Sequence, residues 1–302
     1  MKVEIGEHII KAMRSREPLV ALETAVITHG LPQPINVETG LAMEAAICAT
    51  GAIPCTIGVL HGTVIIGMVA EQLQALSQLP DPVKIGVREL PLAAALTQSG
   101  GTTVAATAYL AHRYGIRVFA TGGIGGVHRG AATTFDISGD LITLGKTPIT
   151  VVSSGAKAIL DLQKTLEYLE TMGVSVVGYR TNTFPAFYAS TSPYLLALQV
   201  DSVADVASAA LARDELALPS ALLVCNPVAC DAEIPFSELM ELIKRVDEEL
   251  DSSQVQGQNV TPEMLRRLST LTQGKTLQTN VRLLEDNARL SGEIAIEIAR
   301  QL

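Results

Sequence analysis

Ile116-Arg-Val-Phe-Ala120 runs straight into Thr121-Gly-Gly-Ile-Gly-Gly-Val-His-Arg-Gly130, and Ile149-Thr-Val-Val152 runs into Ser153-Ser-Gly-Ala-Lys157. Both junctions read alike. A short apolar, β-rich segment predicts a strand buried on both faces, and the polar, glycine-rich run behind it predicts a loop at that strand's carboxyl end. Open parallel sheets bind ligands in the crevice outside those ends. Phe135-Asp-Ile-Ser-Gly-Asp140 lies between the two junctions, so residues 121–157 concentrate reactive polar groups between apolar runs.

The same alternation extends in both directions. Strands are predicted at Leu19–Ile27, Ile53–Leu60, Val83–Ile85, Ile116–Ala120, Ile149–Val152, Val174–Gly178 and Ala221–Val224. Helical patterns fall between them at Val37–Thr50, Met68–Ser77, Leu92–Thr97, Thr103–Tyr114, Ala156–Met172 and Val203–Arg213. Strand–helix alternation predicts an α/β fold with a mostly parallel central sheet covered on both faces. From 235 onward the pattern changes to helices alone, at Pro235–Asp251, Pro262–Leu271 and Leu277–Gln301, with a polar linker, Ser252-Ser-Gln-Val-Gln-Gly257, after the first. We read 1–302 as one domain, with 235–302 its helical C-terminal part.

Composition bounds the function. With 48% hydrophobic and 18% charged residues and a mean hydropathy of +0.32, the chain has apolar material for a large covered sheet. Trp is absent, so Ala, Val, Ile and Leu must fill the core. A net charge of -9 argues against a general nucleic-acid surface, which draws on clustered Lys and Arg. Cys48, Cys55, Cys225 and Cys230 form neither a CxxC pair nor a disulfide framework, which points to a reduced, cytoplasmic setting. The amino terminus lacks the apolar core of a signal peptide, and no run approaches the ~20 apolar residues of a membrane span.

Several side chains are candidates for chemistry. Lys157 follows Gly155 at the predicted first turn of a helix, where the positive dipole end and an apolar wall disfavour its charge; a neutral amine there attacks carbonyls. The plain alternative is a solvated surface lysine. Glu23 lies in the apolar run Leu19–Ile27, where burial raises a carboxyl pKa and suits a proton donor, against a strand-end glutamate facing solvent. Asp136 and Asp140 flank Ile-Ser-Gly closely enough to aim at one ligand, and hard oxygens suit Mg²⁺ or Mn²⁺; the alternative makes one of them the cap of a helix beginning at Asp140. His128 can join that site or serve as a hydrogen-bonding group. The glycines between 122 and 130 match neither the dinucleotide fingerprint nor a Walker loop, which leaves an anion cradle of backbone amides or a plain loop. Lys84 and Thr103, the latter at a helix start, can add a cation and an amide site for phosphate. Asn280 lies on a helical pattern, where exposure is the usual state of Asn, with reach into the pocket as the alternative.

Taken together, Ala21-Leu-Glu-Thr24, Thr28-His-Gly-Leu-Pro32, Gly101-Thr-Thr-Val104, Val118 through Gly130, Thr134-Phe-Asp-Ile-Ser-Gly-Asp-Leu141 and Ser154-Gly-Ala-Lys-Ala-Ile-Leu-Asp161 closely resemble the pseudouridine-5'-phosphate glycosidase family, also called indigoidine-synthase-A-like. The resemblance continues through Thr165–Thr171, Pro185-Ala-Phe187, Asn226-Pro227 and Leu277-Gln-Thr-Asn280. It implies a reversible lyase-type glycosidase that splits the C–C bond of pseudouridine 5'-phosphate into ribose 5-phosphate and uracil, working as a homotrimer of α/β/α subunits with one Mn²⁺ each, or Mg²⁺ or another divalent ion. By motif, Lys157 is the implied Schiff-base nucleophile, Glu23 the proton donor and Asp136 the metal ligand. Lys84, Val104, Ser138, Gly139 and Asp140 are implied substrate contacts, with Thr103, His128 and Asn280 beside them. Around Lys84 the family more often reads Lys-Val-Ser-Arg-Arg-Asp, whereas this chain has Lys84-Ile-Gly-Val-Arg-Glu89, losing a hydroxyl and one Arg. A Schiff-base aldolase-like lyase on another sugar phosphate, a related C-glycoside phosphate as substrate, and a noncatalytic sugar-phosphate-binding protein are the competing readings.

Overall fold

The computed structural model describes residues 2–251 and 260–302, so the predicted polar linker lies outside the described residues. Among these residues run eleven strands: β1 Lys2–Ile5, β2 Leu19–Leu22, β3 Ile53–Leu60, β4 Thr63–Ile66, β5 Val83–Ile85, β6 Gly100–Thr102, β7 Val118–Ala120, β8 Thr150–Ser153, β9 Ser175–Tyr179, β10 Gln199–Val200 and β11 Leu222–Cys225. The central order is β3-β2-β7-β8-β11-β9-β10, with every neighbour parallel. Strands β7 and β8 are buried along their whole length, as strands covered on both faces must be. Helices flank the sheet, and the long helix Lys275–Gln301 packs on β2, β7 and β8 and against the helices Ile35–Cys48 and Val203–Glu215. The helix Val104–Arg113 packs on β2, β3 and β7. The predicted α/β/α sandwich with a helical C-terminal segment is the observed fold.

One strand serves two neighbourhoods. Ile53–Thr56 of β3 pair with β2, whereas Ile57–Leu60 form an antiparallel ladder with β4, and Gly58 and Val59 also pair with β6. Strand β1 then adds to β4, and β5 to β6, both parallel. The β5–β6 pair is thereby carried over to the exit of β2. Gly101 of β6 allows that approach, because a Cβ there would stand 2.6 Å from the Thr24 carbonyl oxygen.

The chain leaves β2 towards β3 on one side and β7 towards β8 on the other, so strand order reverses between β2 and β7. Their last residues, Leu22 and Ala120, are in register. Glu23 and Thr121 are the next residues along, at the topological switch point where ligands bind in doubly wound sheets.

Several expected boundaries move. The predicted strand Leu19–Ile27 ends at Leu22; Thr24 accepts the amides of Ile27 and Thr28, and Val26–Gly30 forms a π-helical turn. The predicted helix Ala156–Met172 starts at Leu162, where Asp161 caps it by accepting the Lys164 amide at 3.1 Å. The structure adds strands β1, β4, β6 and β10 and the helices Glu7–Ser15 and Ala131–Thr134 to the predicted elements, and the helix weighed as an alternative at Asp140 is present as Gly139–Leu144.

Thr24 locks the β2 exit to the smaller strands. Its hydroxyl donates to Ile57 O at 2.7 Å and accepts from Thr102 N at 3.0 Å, fully buried. Thr24→Val keeps the shape and takes the acceptor from Thr102 N, while Ile57 O keeps the Thr102 hydroxyl as a donor at 2.7 Å, so we expect a loss of about 1–3 kcal/mol in denaturant unfolding. A midpoint equal to the parent's would refute the lock.

Candidate active site

One pocket at the switch point is lined by Glu23, Lys84, Thr121, Lys157 and Asn280, with Phe187, Leu265 and Leu284 supplying apolar wall. Glu23 is 7% exposed and receives a short hydrogen bond from the Thr121 hydroxyl. Burial pushes the Glu23 pKa above the ordinary carboxyl value, outweighing the opposing pull of the Lys157 charge and the Thr121 hydrogen bond; Asp140 adds to the rise and Lys84 opposes it. A carboxyl so placed holds its proton into a pH range where most glutamates have lost it.

Lys157 does not begin a helix. It stands on the turn between β8 and the helix Leu162–Thr171, so the expected effect of a helix dipole is absent. Its position is set by backbone: Lys157 N donates to Ile124 O at 3.1 Å, and Leu160 N donates to Lys157 O at 3.0 Å. Gly155 makes this turn possible, since its φ of 79° is left-handed and any Cβ would run into the Pro185 carbonyl oxygen. Lys84, on β5, comes in from the smaller strands. Burial and, next, the Lys157 charge lower its pKa, against the nearby carboxylates of Asp140, Glu23 and Asp136.

Asn280 arrives from the long C-terminal helix and is 5% exposed, not the surface residue its type suggests. Its Oδ1 is a buried polar atom without a hydrogen-bond partner, and it belongs to a side chain that lines the pocket. A buried acceptor left unsatisfied costs free energy unless a ligand donates to it.

The remaining candidates stand beside this pocket on adjoining loops. Asp140 does not cap its own helix; Ser138 does, accepting Asp140 N at 3.2 Å. Instead, one Asp140 oxygen accepts Ala105 N at 2.9 Å, in the first turn of the helix Val104–Arg113, and the other accepts Gly125 N at 2.8 Å. Gly125 therefore offers no amide to an anion. Thr103 caps that helix, with its Oγ1 3.4 Å from Ala106 N, and Val104 is its first residue. Asp136 is exposed, 3.8 Å from His128 Nδ1, and burial lowers the His128 pKa while Asp136 opposes it. Ser138 follows on the same loop as the cap of the helix that Gly139 begins. No cluster of three or more His, Cys, Asp or Glu able to hold a metal occurs among the described residues. Asp136 offers a single, half-exposed carboxylate outside the pocket lining, a donor set that fits a divalent ion only where its shell is mostly water and ligand oxygen.

Some pocket residues escaped sequence reasoning. Thr121 and His29 both sat inside quoted motifs; the signal for Thr121 was a polar side chain directly after a strand, whereas His29 lies in the turn Val26–Gly30. His29 Nε2 lies 3.1 Å from the Pro82 carbonyl, and its Nδ1 lies 2.6 Å from the Thr28 hydroxyl. Burial, aided by the Lys84 charge, lowers its pKa. Phe187 offered no such signal.

Residues 8–297 match the family model for indigoidine synthase A like protein. The chain belongs to the indigoidine synthase A-like family. Among its relatives, the pseudouridine-5'-phosphate glycosidase of Dinoroseobacter shibae is 47% identical over 98% of this chain and 97% of its own. That of Solibacter usitatus is 44% identical over 99% and 100%. An indigoidine synthase A-like protein from Thermotoga maritima superposes with a TM-score of 0.91 at 36% identity, covering 99% of this chain and 97% of its own. The prealnumycin C-glycosynthase AlnA, solved in complex with ribulose 5-phosphate, superposes with a TM-score of 0.92 at 34% identity, covering 100% and 98%.

Within this indigoidine synthase A-like chain, the residues that depart from the family pattern near Lys84 are matched to one another. Glu89 Oε2 accepts Gly86 N at 3.1 Å, and a Cβ at position 86 would stand 2.8 Å from that same oxygen. Glycine and the longer carboxylate thus accommodate each other. Arg88 pairs with Glu89 at 2.6 Å and is exposed.

Glu23→Gln should separate stability from activity. A carboxyl whose folded pKa is raised stabilises fully below its unfolded value and loses that contribution as pH rises through the folded one; glutamine does not titrate. We expect the variant's melting temperature to meet or exceed the parent's, with the gap widening as pH rises above about 4.5. A gap that shrinks with rising pH would contradict the assignment.

Proposed function

We propose that this chain reversibly cleaves the C–C glycosidic bond of pseudouridine 5'-phosphate, giving ribose 5-phosphate and uracil through a Schiff base between Lys157 and the opened sugar. The observation that carries this reading is a lysine amine and a proton-holding carboxyl, Lys157 and Glu23, sharing one largely apolar pocket with a second lysine. The names of the relatives and the sugar phosphate held by AlnA support it.

A C-glycoside has no leaving oxygen or nitrogen to protonate, so the two-carboxylate glycosidase scheme does not apply. The Lys157 nitrogen bonds to C1′ as the C1′–O4′ bond breaks, and Glu23 gives its proton to O4′. Glu23 takes back the proton that the attacking nitrogen loses and passes it to C5 of uracil. The C1′–C5 electron pair enters the ring while the nitrogen lone pair closes C1′=N. Water then hydrolyses the imine, freeing ribose 5-phosphate and the amine. Lys84, with Thr103, Val104, Ser138 and Gly139, holds the phosphate end, which positions C1′ by remote binding. Asp140 orders these loops, and Asn280 Oδ1 accepts a substrate hydroxyl or amide. Asp136, with His128 behind it, is the carboxylate that would hold a divalent ion, whose charge would offset that of substrate oxygens.

Residues 235–302 act with the sheet as one domain, since Asn280 and Leu265 complete the same pocket. The homotrimer is what the family resemblance implies, and Phe135, 81% exposed, and Ile142, on either side of Asp136 in the chain, are apolar surface that a partner subunit would cover. A cytoplasmic setting is supported by four free cysteines, and no described helix is long and apolar enough to cross a membrane.

Incubation with pseudouridine 5'-phosphate and Mn²⁺ should release uracil, and borohydride added during turnover should trap sugar on Lys157. Lys157→Ala should lose the adduct and at least about 10³-fold in kcat. Release of an aldehyde without uracil would favour an aldolase-like lyase, and binding without turnover a noncatalytic role. Turnover at the parental rate by Lys157→Ala would sink the Schiff base.

A further inference from the structure

We infer that Asn287, which does not itself line the pocket, is a positioning residue that sets the register between the long C-terminal helix and the loops carrying Glu23's partner and Lys157. The inference rests on the reaction proposed above. Asn287 is 0% exposed. Its amide nitrogen donates to the Thr121 carbonyl at 2.9 Å and to Ser154 Oγ at 3.2 Å, and its Oδ1 accepts from Asn226 Nδ2 at 2.9 Å. Thr121 follows β7, Ser154 follows β8 and Asn226 follows β11, so one side chain ties together three strand exits. Every hydrogen of its amide group is used, and in a buried site each lost bond leaves a polar group without a partner.

The consequences reach the chemistry along two routes. Thr121 gives its hydroxyl hydrogen to Glu23, so fixing the Thr121 carbonyl fixes the proton donor's own partner. Asn280 lies seven residues earlier on the same helix, two turns or about 10.5 Å away on the same face. Pinning Asn287 to the β7 loop therefore sets where Asn280 stands relative to Glu23. Lys84 stands on β5, in the other strand group, and is not among the hydrogen-bond partners of Asn287, so substrate grip and catalytic alignment should separate in kinetics.

Asn287→Asp keeps the acceptor for Asn226 but loses both donors, placing an oxygen against the Thr121 carbonyl. With the full chain and pseudouridine 5'-phosphate, we expect kcat to fall about 30-fold and KM to stay within about twofold, the size of effect that a small misalignment produces. The pH limb that reports Glu23 should move to higher pH, because a loosened Thr121 no longer favours the carboxylate. In a cycle with Thr121→Val the two losses should not add. Hydrogen exchange over residues 121–126 and 153–157 should quicken in the variant. If Asn287→Asp does not fold, Ser154→Ala removes one acceptor with little change of shape and should lower kcat about threefold at unchanged KM.

A parental kcat and pH limb in a folded variant, additive losses in the cycle, or unchanged exchange would each overturn the inference. A parent that releases no uracil would instead overturn the proposed function. Exchange alone would then decide whether Asn287 holds these loops.

Discussion

Parallel pairing of Leu22 with Ala120, where the chain runs off in opposite directions from β2 and β7, forces Glu23 and Thr121 out of the sheet side by side. A carboxyl released there meets apolar wall and little water. Its charge is costly, and the hydroxyl beside it only partly relieves that cost. Both effects follow from register. A slip by one residue would send Glu23 to the opposite face and leave the pocket without an acid.

Around that carboxyl the protein assembles opposing charges that do not neutralise as simple pairs. Glu23, Lys84 and Lys157 interact across the pocket, with Asp140 close enough to contribute to both Glu23 and Lys84. Asp140 is itself held by two backbone amides from different elements, so its charge is a fixed part of the site and its carboxylate works as a structural anion. The lysines enter from separate directions, Lys84 on the small strands joined through Thr24 and Lys157 on the turn after β8. Rigid strand ends hold the reacting groups, and the long helix closes the pocket with an acceptor that has no protein partner. An apolar cavity with a few fixed polar groups is the arrangement by which binding sites orient small ligands.

The apolar runs before Thr121 and Ser153 made the central strands legible, because burial on both faces demands continuous β-branched sequence. Lys157, Glu23 and Lys84 were legible as candidates from their placement beside such runs. Where β2 ends was not: Val26 and Ile27 continue its apolar pattern, yet Thr24 takes the next amides into a turn. The helix expected at Ala156 begins only at Leu162, since the Lys157 amide pairs with Ile124 on a distant loop. Local propensity has no access to that partner. Asp140 as anchor and Asn280 as pocket wall were equally hidden, each depending on an element far away in the chain.

By itself the sequence determined the alternation of strands and helices, the reactive residues at strand ends and the family pattern, all of which are properties of local order and composition. Tertiary structure decided which of those residues meet. It turned Asp140 towards two amides, buried Asn280 and Asn287 on one face of a helix, and brought Lys84 across from another group of strands. Hydrogen bonds and burial between segments a hundred or more residues apart carry no signature in either segment alone, for example between Asn287 and Thr121.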